Sequence, residues 1–191
     1  MIKLDKGGKV SLDKSMTKAV IKLNWKPQTR EGEKFDLDSS IAMIPEVGCP
    51  GDEDYIMSHD YTAHPSGCVK HMGDDQTGAQ GEEIHIDLSL VPAKYKKLVF
   101  IIEIYKAESR KQKFGMVNDS VAKLYNADDL NTPEVVCELG EDFSTETCVT
   151  ACEIYRHGDG WKVSNVAAGY TRGLKALLED YGFEVEDRKQ I

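Results

Sequence analysis

Polar and apolar residues alternate along most of this chain, and this period of two restricts its fold more than any other feature. Within residues 84–90, Ile84, Ile86 and Leu88 are each followed by a polar residue. Successive side chains of a strand point to opposite faces, so the pattern is typical of a strand with one buried face. Residues 19–25 repeat it. We predict further strands at 37–44, 54–59, 68–71, 98–105, 117–125, 135–139, 148–156 and 161–166.

Turn signals and one helical segment complete the pattern. Residues 157–160, His-Gly-Asp-Gly, are typical of a hairpin loop between two strands. Near the end of the chain, apolar residues follow helical spacing and precede a glycine that is placed to end the helix. These residues are Leu174, Leu177, Leu178, Tyr181 and Gly182. We therefore predict a mainly β protein, a two-sheet β-sandwich with a C-terminal covering helix, as a single domain over residues 1–191.

The acidic balance of the chain limits its partners. Its 191 residues carry a net charge of −9, and the pI is near 5.1. Binding to a phosphate backbone needs clustered Lys and Arg, so we expect no nucleic acid partner. The longest apolar run, residues 98–102, is far shorter than the roughly 20 residues of a membrane-spanning helix. The first eight residues contain no apolar signal segment and the five cysteines are irregularly spaced, so we expect a cytoplasmic protein.

Two acidic segments are the main candidates for chemistry. Asp36 and Asp38 flank Leu37, so in a strand both carboxylates point to one face while Leu37 points to the core. Carboxylates this close repel one another unless a cation lies between them. The second segment, residues 73–83, contains three glycines that let its backbone turn. Its carboxylates are those of Asp74, Asp75, Glu82 and Glu83. Ca²⁺ prefers such oxygen ligands, although a solvated acidic face is the alternative interpretation.

A second group of residues favours different chemistry. Two cysteines and three histidines occur between residues 49 and 71, and the Cys68-x-x-His71 spacing resembles that of a zinc site. The full set is Cys49, His59, His64, Cys68 and His71. A zinc-dependent hydrolase or a redox protein is therefore a competing hypothesis, and ordinary surface histidines with buried thiols are the alternative. The sequence contains no nucleophile elbow and no glycine-rich phosphate loop.

Several segments, in order, resemble the signatures of TerD-like proteins of the bacterial tellurite-resistance and stress-response group. The resemblance covers nearly the whole chain. The matching segments are Phe-Asp-Leu-Asp-Ser-Ser at 35–40, His-Met-Gly-Asp-Asp-Gln-Thr-Gly at 71–78, Ala-Glu-Ser-Arg at 107–110, Ser-Thr-Glu-Thr at 144–147 and Glu-Ile-Tyr-Arg-His-Gly at 153–158. The resemblance implies a β-sandwich and a non-enzymatic, calcium-binding protein. It also implies partners among other tellurite-resistance and stress proteins, in assemblies near the inner membrane.

The resemblance also implies a set of calcium ligands. They are Asp36, Asp38, Asp60, Asp74, Asp75, Gly78, Glu82 and Glu83. The acidic end of the loop, residues 79–83, is shorter than the run that the family usually has. Family members commonly bind two ions there, so we expect one or two in this chain. An acidic loop that docks a partner protein, as a pure interaction module, is a third hypothesis.

Overall fold

The computed structural model describes residues 1–26, 35–76, 81–139 and 143–185. Within these residues, twelve strands form two six-stranded sheets. The first sheet has the order β1 (Ile2–Leu4), β10 (Val135–Glu138), β9 (Asn118–Asn126), β3 (Lys18–Lys26), β7 (Glu82–Asp87) and β6 (Val69–His71). The second has the order β2 (Lys9–Ser11), β12 (Gly160–Tyr170), β11 (Cys148–His157), β8 (Tyr95–Ile104), β4 (Leu37–Pro45) and β5 (Tyr55–Ile56).

The main core lies between the two sheets and is built by the inward half of each alternating strand. Leu23 of β3 and Ile84 of β7 come from the first sheet, and Leu37 and Ile41 of β4 come from the second. All four side chains are fully buried. The predicted β-sandwich is therefore confirmed.

A smaller apolar cluster covers the outer face of the second sheet. Helix α2 (Gly173–Asp180) packs Leu177 and Leu178 against Ala42 of β4 and Val99 of β8. Gly182 follows with a φ of +88°, a conformation that glycine adopts without strain, so the predicted helix and its stop are both confirmed. The described residues also form a short helix α1 (Ala107–Arg110) and two 3-10 turns at Asp52–Asp54 and Phe114–Met116. None of the described helices is long and apolar enough to cross a bilayer.

One predicted strand is much shorter than expected. The sequence pattern predicts a strand over residues 54–59, but the structure has only the two residues of β5. The reason is a turn, which the Met57 N–H closes by donating to the carbonyl oxygen of Tyr61 at 3.0 Å. The strands β1 and β2 were not predicted, because three residues are too few to show a period. The predicted hairpin loop at 157–160 is confirmed, with His157 paired to Gly160.

The start of β7 requires a glycine, which gives a test of the strand pairing. Gly81 has a φ of +76°, and a Cβ there would overlap the carbonyl oxygen of Leu23 in the neighbouring β3. Gly7 has nearly the same φ, +79°, but open space around it. We expect Gly7→Ala to lower the free energy of unfolding by about 1 kcal/mol through backbone strain alone, and Gly81→Ala by roughly 2–4 kcal/mol. Equal losses for the two variants in urea denaturation would contradict this account.

Candidate metal centre

The first half of β4 lies at an edge of the second sheet, and side chains of the first sheet pair with its backbone groups. Strand β5 pairs with β4 only at Ile41 and Ala42, so no strand of the described residues pairs with Ser39 on that side. Instead, Oε2 of Glu82 accepts the Ser39 N–H at 2.6 Å. Nε2 of His71 lies 3.1 Å from the Ser39 carbonyl oxygen. Buried backbone groups need partners, and here a carboxylate and an imidazole replace a strand.

The connection between β6 and β7 is shaped by hydrogen bonds at both ends. At its start, the Gly73 N–H donates to Nδ1 of His71 at 3.1 Å. Nδ1 is therefore the acceptor, so in the neutral ring Nε2 carries the proton that it donates to Ser39. At its end, Oδ2 of Asp75 accepts the Gly81 N–H at 2.7 Å. These contacts fix the conformation at both ends of the loop, and His71 joins its start to Ser39 of β4.

Three carboxylates meet where this loop passes the start of β4. Asp36, Asp38 and Asp74 each offer an oxygen, and the three oxygens lie within 4.8 Å of one another. Leu37 points into the core between the two sheets, as the alternation predicts. Of the Asp, Glu, His and Cys side chains that the structure describes, these three form the one group of this size that could hold a metal ion.

Two buried oxygens beside this group have no hydrogen-bond partner in the described part of the chain. One is Oδ1 of Asp36, and the other is Oε1 of Glu82. Both side chains are buried, with exposed fractions of 8% and 1%. A buried carboxylate oxygen without a donor is costly, because the desolvation of its charge is not compensated. The residues present therefore fit a bound cation.

The local electrostatics disfavour the charged forms of the acids when no cation is present. Burial raises the pKa of Asp38 to about 8, with further contributions from Glu103, Glu82 and Asp36. Burial and the neighbouring Asp74 also raise the pKa of Asp36, although the Arg110 guanidinium acts in the opposite direction. Without a compensating positive charge, this group retains protons that ordinary carboxyl groups lose.

The structure does not bring all eight predicted ligands together. Asp75 holds the Gly81 N–H and lies outside the group of three. Glu83 is also outside it, and its carboxylate pairs with Lys22 at 2.5 Å. Asp60 is exposed and outside the group as well, and Gly78 falls outside the described residues. The observed group is therefore Asp36, Asp38 and Asp74, with Glu82 adjacent.

The five residues of the zinc hypothesis do not converge either. Within the described ranges they form no group of three ligand atoms. His64 contacts the thiol of Cys68 at 3.8 Å, but its two ring nitrogens are engaged by Ser66 and Tyr95. His71 faces Ser39 and Gly73, and Cys49 is exposed.

Sequence reasoning missed Glu103, which lies directly opposite Asp38 in the pairing of β4 with β8. Burial raises the pKa of Glu103 to about 7. The available signal was its position, since Glu103 is the one charge in the otherwise apolar run 98–104. The sequence could not show that Glu103 lies opposite Asp38, because the register between two distant strands cannot be read from either strand alone.

Comparison with known proteins identifies the family of this chain. A sequence model of the TerD domain matches residues 1–181. The chain belongs to the TerD family. Relatives of this TerD chain include General stress protein 16U of Bacillus subtilis (strain 168), which is 38% identical over 192 residues, covering 96% of this chain and 98% of the relative. Tellurium resistance protein TerD of Serratia marcescens is 37% identical over 188 residues, covering 95% and 97%.

A solved structure shows the same TerD fold. The crystal structure of a homologue of telluride resistance protein (TerD) from Streptomyces coelicolor A3(2) superposes with a TM-score of 0.70. The match covers 86% of this chain and 96% of that one, at 14% sequence identity. At this identity the similarity concerns the fold alone, and it agrees with the two-sheet architecture described above.

The raised pKa values predict how stability depends on pH when chelator removes divalent cations. In the folded chain Asp38 and Glu103 bind protons up to pH values near 8 and 7, whereas in the unfolded chain they release them near pH 4. The folded state therefore loses stability as pH rises from about 4 to about 8. We expect a loss on the order of 2 kcal/mol, or a fall in Tm of roughly 4–8 °C, superimposed on the general pH response.

Thermal melts of two matched variants isolate this effect. Asp38→Asn has no proton to lose at this position, so we expect its Tm to fall less between pH 5 and pH 8, in chelator, than that of the parent protein. Asp128→Asn removes an exposed carboxyl group elsewhere and should follow the parent curve. Parallel curves for all three proteins would contradict the assigned pKa of Asp38.

Proposed function

We propose that this chain is a calcium-binding, non-enzymatic protein of the tellurite-resistance and stress-response type. The observation that carries the proposal is a pair of buried oxygens, Oδ1 of Asp36 and Oε1 of Glu82, beside the three-carboxylate group; among the described residues neither has a hydrogen-bond partner. One divalent cation would compensate several of these charges at once. The ion would be held by Asp36, Asp38 and Asp74, with Glu82 as an additional ligand.

The chemistry of the donors favours calcium over zinc. All four side chains offer carboxylate oxygen, whereas zinc sites in proteins usually include imidazole or thiolate ligands. The imidazole of His71, which lies 3.6 Å from Glu82, is turned towards Ser39 by its own hydrogen bonds. Ca²⁺ takes six to eight oxygen ligands in adaptable geometry, so backbone carbonyls and water would complete the shell. The number of ions, one or two, stays a prediction.

The site would act as a clamp between the two sheets. Asp36 directly precedes β4 and Asp38 is its second residue, whereas Asp74 belongs to the loop that follows β6. Removing the cation leaves like charges close together, so the ion would stabilise the contact between the loop and the strand. This is a structural and regulatory role, and it requires no catalytic group.

The names of relatives support the biological role. The relatives described above are named as a general stress protein and a tellurium resistance protein, and neither name denotes an enzyme. We infer that this chain serves the same response, in the cytoplasm and with other stress proteins as partners. The competing zinc hypothesis loses support, since its residues do not form one site in the described part of the chain.

Calcium binding can be tested by calorimetry together with thermal melts. We expect saturable binding of Ca²⁺ and a rise in Tm of roughly 5–10 °C when the free ion exceeds its Kd about 100-fold. Asp36→Asn and Asp74→Ala should lose most of both effects. An unchanged Tm in millimolar Ca²⁺, with no heat of binding, would exclude a calcium function.

Neighbouring residues of β7 supply a matched pair of variants. Glu82→Gln keeps an oxygen that accepts the Ser39 N–H but loses the charge, so we expect its affinity for Ca²⁺ to fall roughly tenfold or more. Glu83→Gln removes the same charge one residue away, on the side paired with Lys22, and should bind Ca²⁺ as the parent does. Equal losses in both variants would show that general negative charge, not a built site, attracts the ion.

A cellular assay tests the role in resistance. In a tellurite-sensitive bacterium that lacks its own TerD-family protein, we expect the parent chain to restore growth on tellurite. The Asp36→Asn variant should fail to do so at equal protein level, whereas Glu83→Gln should succeed. Full rescue by Asp36→Asn would separate resistance from calcium binding.

A further inference from the structure

A second candidate binding site lies between α2 and the outer face of the second sheet. It is a cleft of about 810 Å³, with Asp38 and Glu103 lining it from the sheet and Arg172 and Leu174 lining it from the helix segment. We name it the α2 cleft. Its volume is in the range of sites that hold small organic ligands.

The sheet side of the cleft presents two carboxyl groups that have no cationic partner among the described residues. Glu103 and Asp38 are opposite each other on adjacent strands, where like charges repel. Neither carboxylate forms an ion pair with a Lys, Arg or His of the described residues.

Two of the three basic residues that line the cleft have contacts other than these two acids. Lys106 lies over the ring of Tyr105 at 4.9 Å, and Lys175 pairs with Glu179 at 4.0 Å. The lining contains six Asp and Glu residues against three Lys and Arg residues, so its formal charge is negative. The cleft therefore favours a cationic ligand.

The remaining lining favours an organic cation over a metal ion. Tyr55, Tyr61 and Phe183 contribute aromatic rings, and Tyr55 packs edge-on against Phe183 with ring centroids 6.2 Å apart. Aromatic faces attract ammonium groups and cover apolar carbon, but they supply none of the charged oxygen ligands that a hard metal ion needs. Leu174 and Leu178 extend the apolar wall.

We propose that the α2 cleft binds an organic amine, with the ammonium group at Glu103 and the carbon skeleton against the aromatic wall. The inference goes beyond calcium binding, since it rests on Glu103 and the aromatic residues and not on Asp36, Asp74 or Glu82. Calcium at Asp38 would leave the carboxylate of Glu103 available.

Matched pairs of probes test the charge requirement. Benzylamine and benzyl alcohol share a shape and differ in charge, as do cadaverine and 1,5-pentanediol. Calorimetry on the full chain at about 150 mM salt, which weakens binding by exposed charges alone, should give one saturable site for the amines and none for the alcohols. Equal binding of amine and alcohol, or no binding of either amine at millimolar concentration, would overturn the proposal.

Three variants locate the site. Glu103→Gln should weaken amine binding by roughly tenfold or more, and Tyr61→Ala, at a partly exposed wall position, by several-fold. Glu134→Gln removes an exposed carboxylate next to the first sheet and should bind amines as the parent does. Unchanged amine affinity in Glu103→Gln would overturn the assignment.

Calcium titrations of the same variants keep the two proposals apart. Glu103→Gln should still bind Ca²⁺, and Asp74→Ala should still bind amines in chelator. Loss of Ca²⁺ binding in Glu103→Gln, without amine binding by the parent, would make Glu103 a calcium ligand and reject the amine site. We expect Asp74→Ala to lose Ca²⁺ binding and to keep amine binding. If the parent protein binds amines but not Ca²⁺, the calcium proposal is rejected and the amine proposal is supported.

Discussion

The open edge of β4 at Ser39 is the constraint on which the rest of this end of the molecule depends. The turn after Ile56 takes β5 away from the sheet, so the N–H and carbonyl of Ser39 cannot be paired by a strand. Glu82 and His71, both from the other sheet, supply the missing acceptor and donor. A hydrogen bond to a charged group contributes more than one between neutral groups, so this contact joins the sheets firmly.

The use of Glu82 at Ser39 adds a buried carboxylate to the acidic group of the candidate metal centre. A carboxylate has two oxygens, and pairing Oε2 of Glu82 with Ser39 leaves Oε1 buried without a partner. Asp36 and Asp74 add their charges beside it. Such a group is stable only if protons or a cation compensate it, and the raised pKa of Asp38 expresses the first alternative. Under our proposal calcium is the second alternative, and it would link Glu82 to the loop that carries Asp74.

Alternation predicted the sandwich and the common face of Asp36 and Asp38, and helical spacing predicted α2, because each depends on a period within one segment. The same alternation separates Glu82, which shares a face with Ile84, from Glu83, so this distinction was available in the sequence. Other features were not. The shortness of β5 depends on a turn without a strong signal, and the position of Glu103 opposite Asp38 depends on register between strands about 65 residues apart.

Alternation in β4 also places the two proposed sites on one strand. Ser39 faces the first sheet, where its N–H donates to Glu82. Asp38 faces outward and belongs both to the candidate metal centre and to the lining of the α2 cleft. Under the two proposals, a calcium ion at Asp38 lowers the negative potential at Glu103, so calcium and an amine oppose each other's binding. Because such coupling is reciprocal, the amine would weaken calcium binding by the same factor. The strength of that antagonism would be set by the Asp38–Glu103 pair, because Asp38 is a proposed calcium ligand and Glu103 the proposed amine partner.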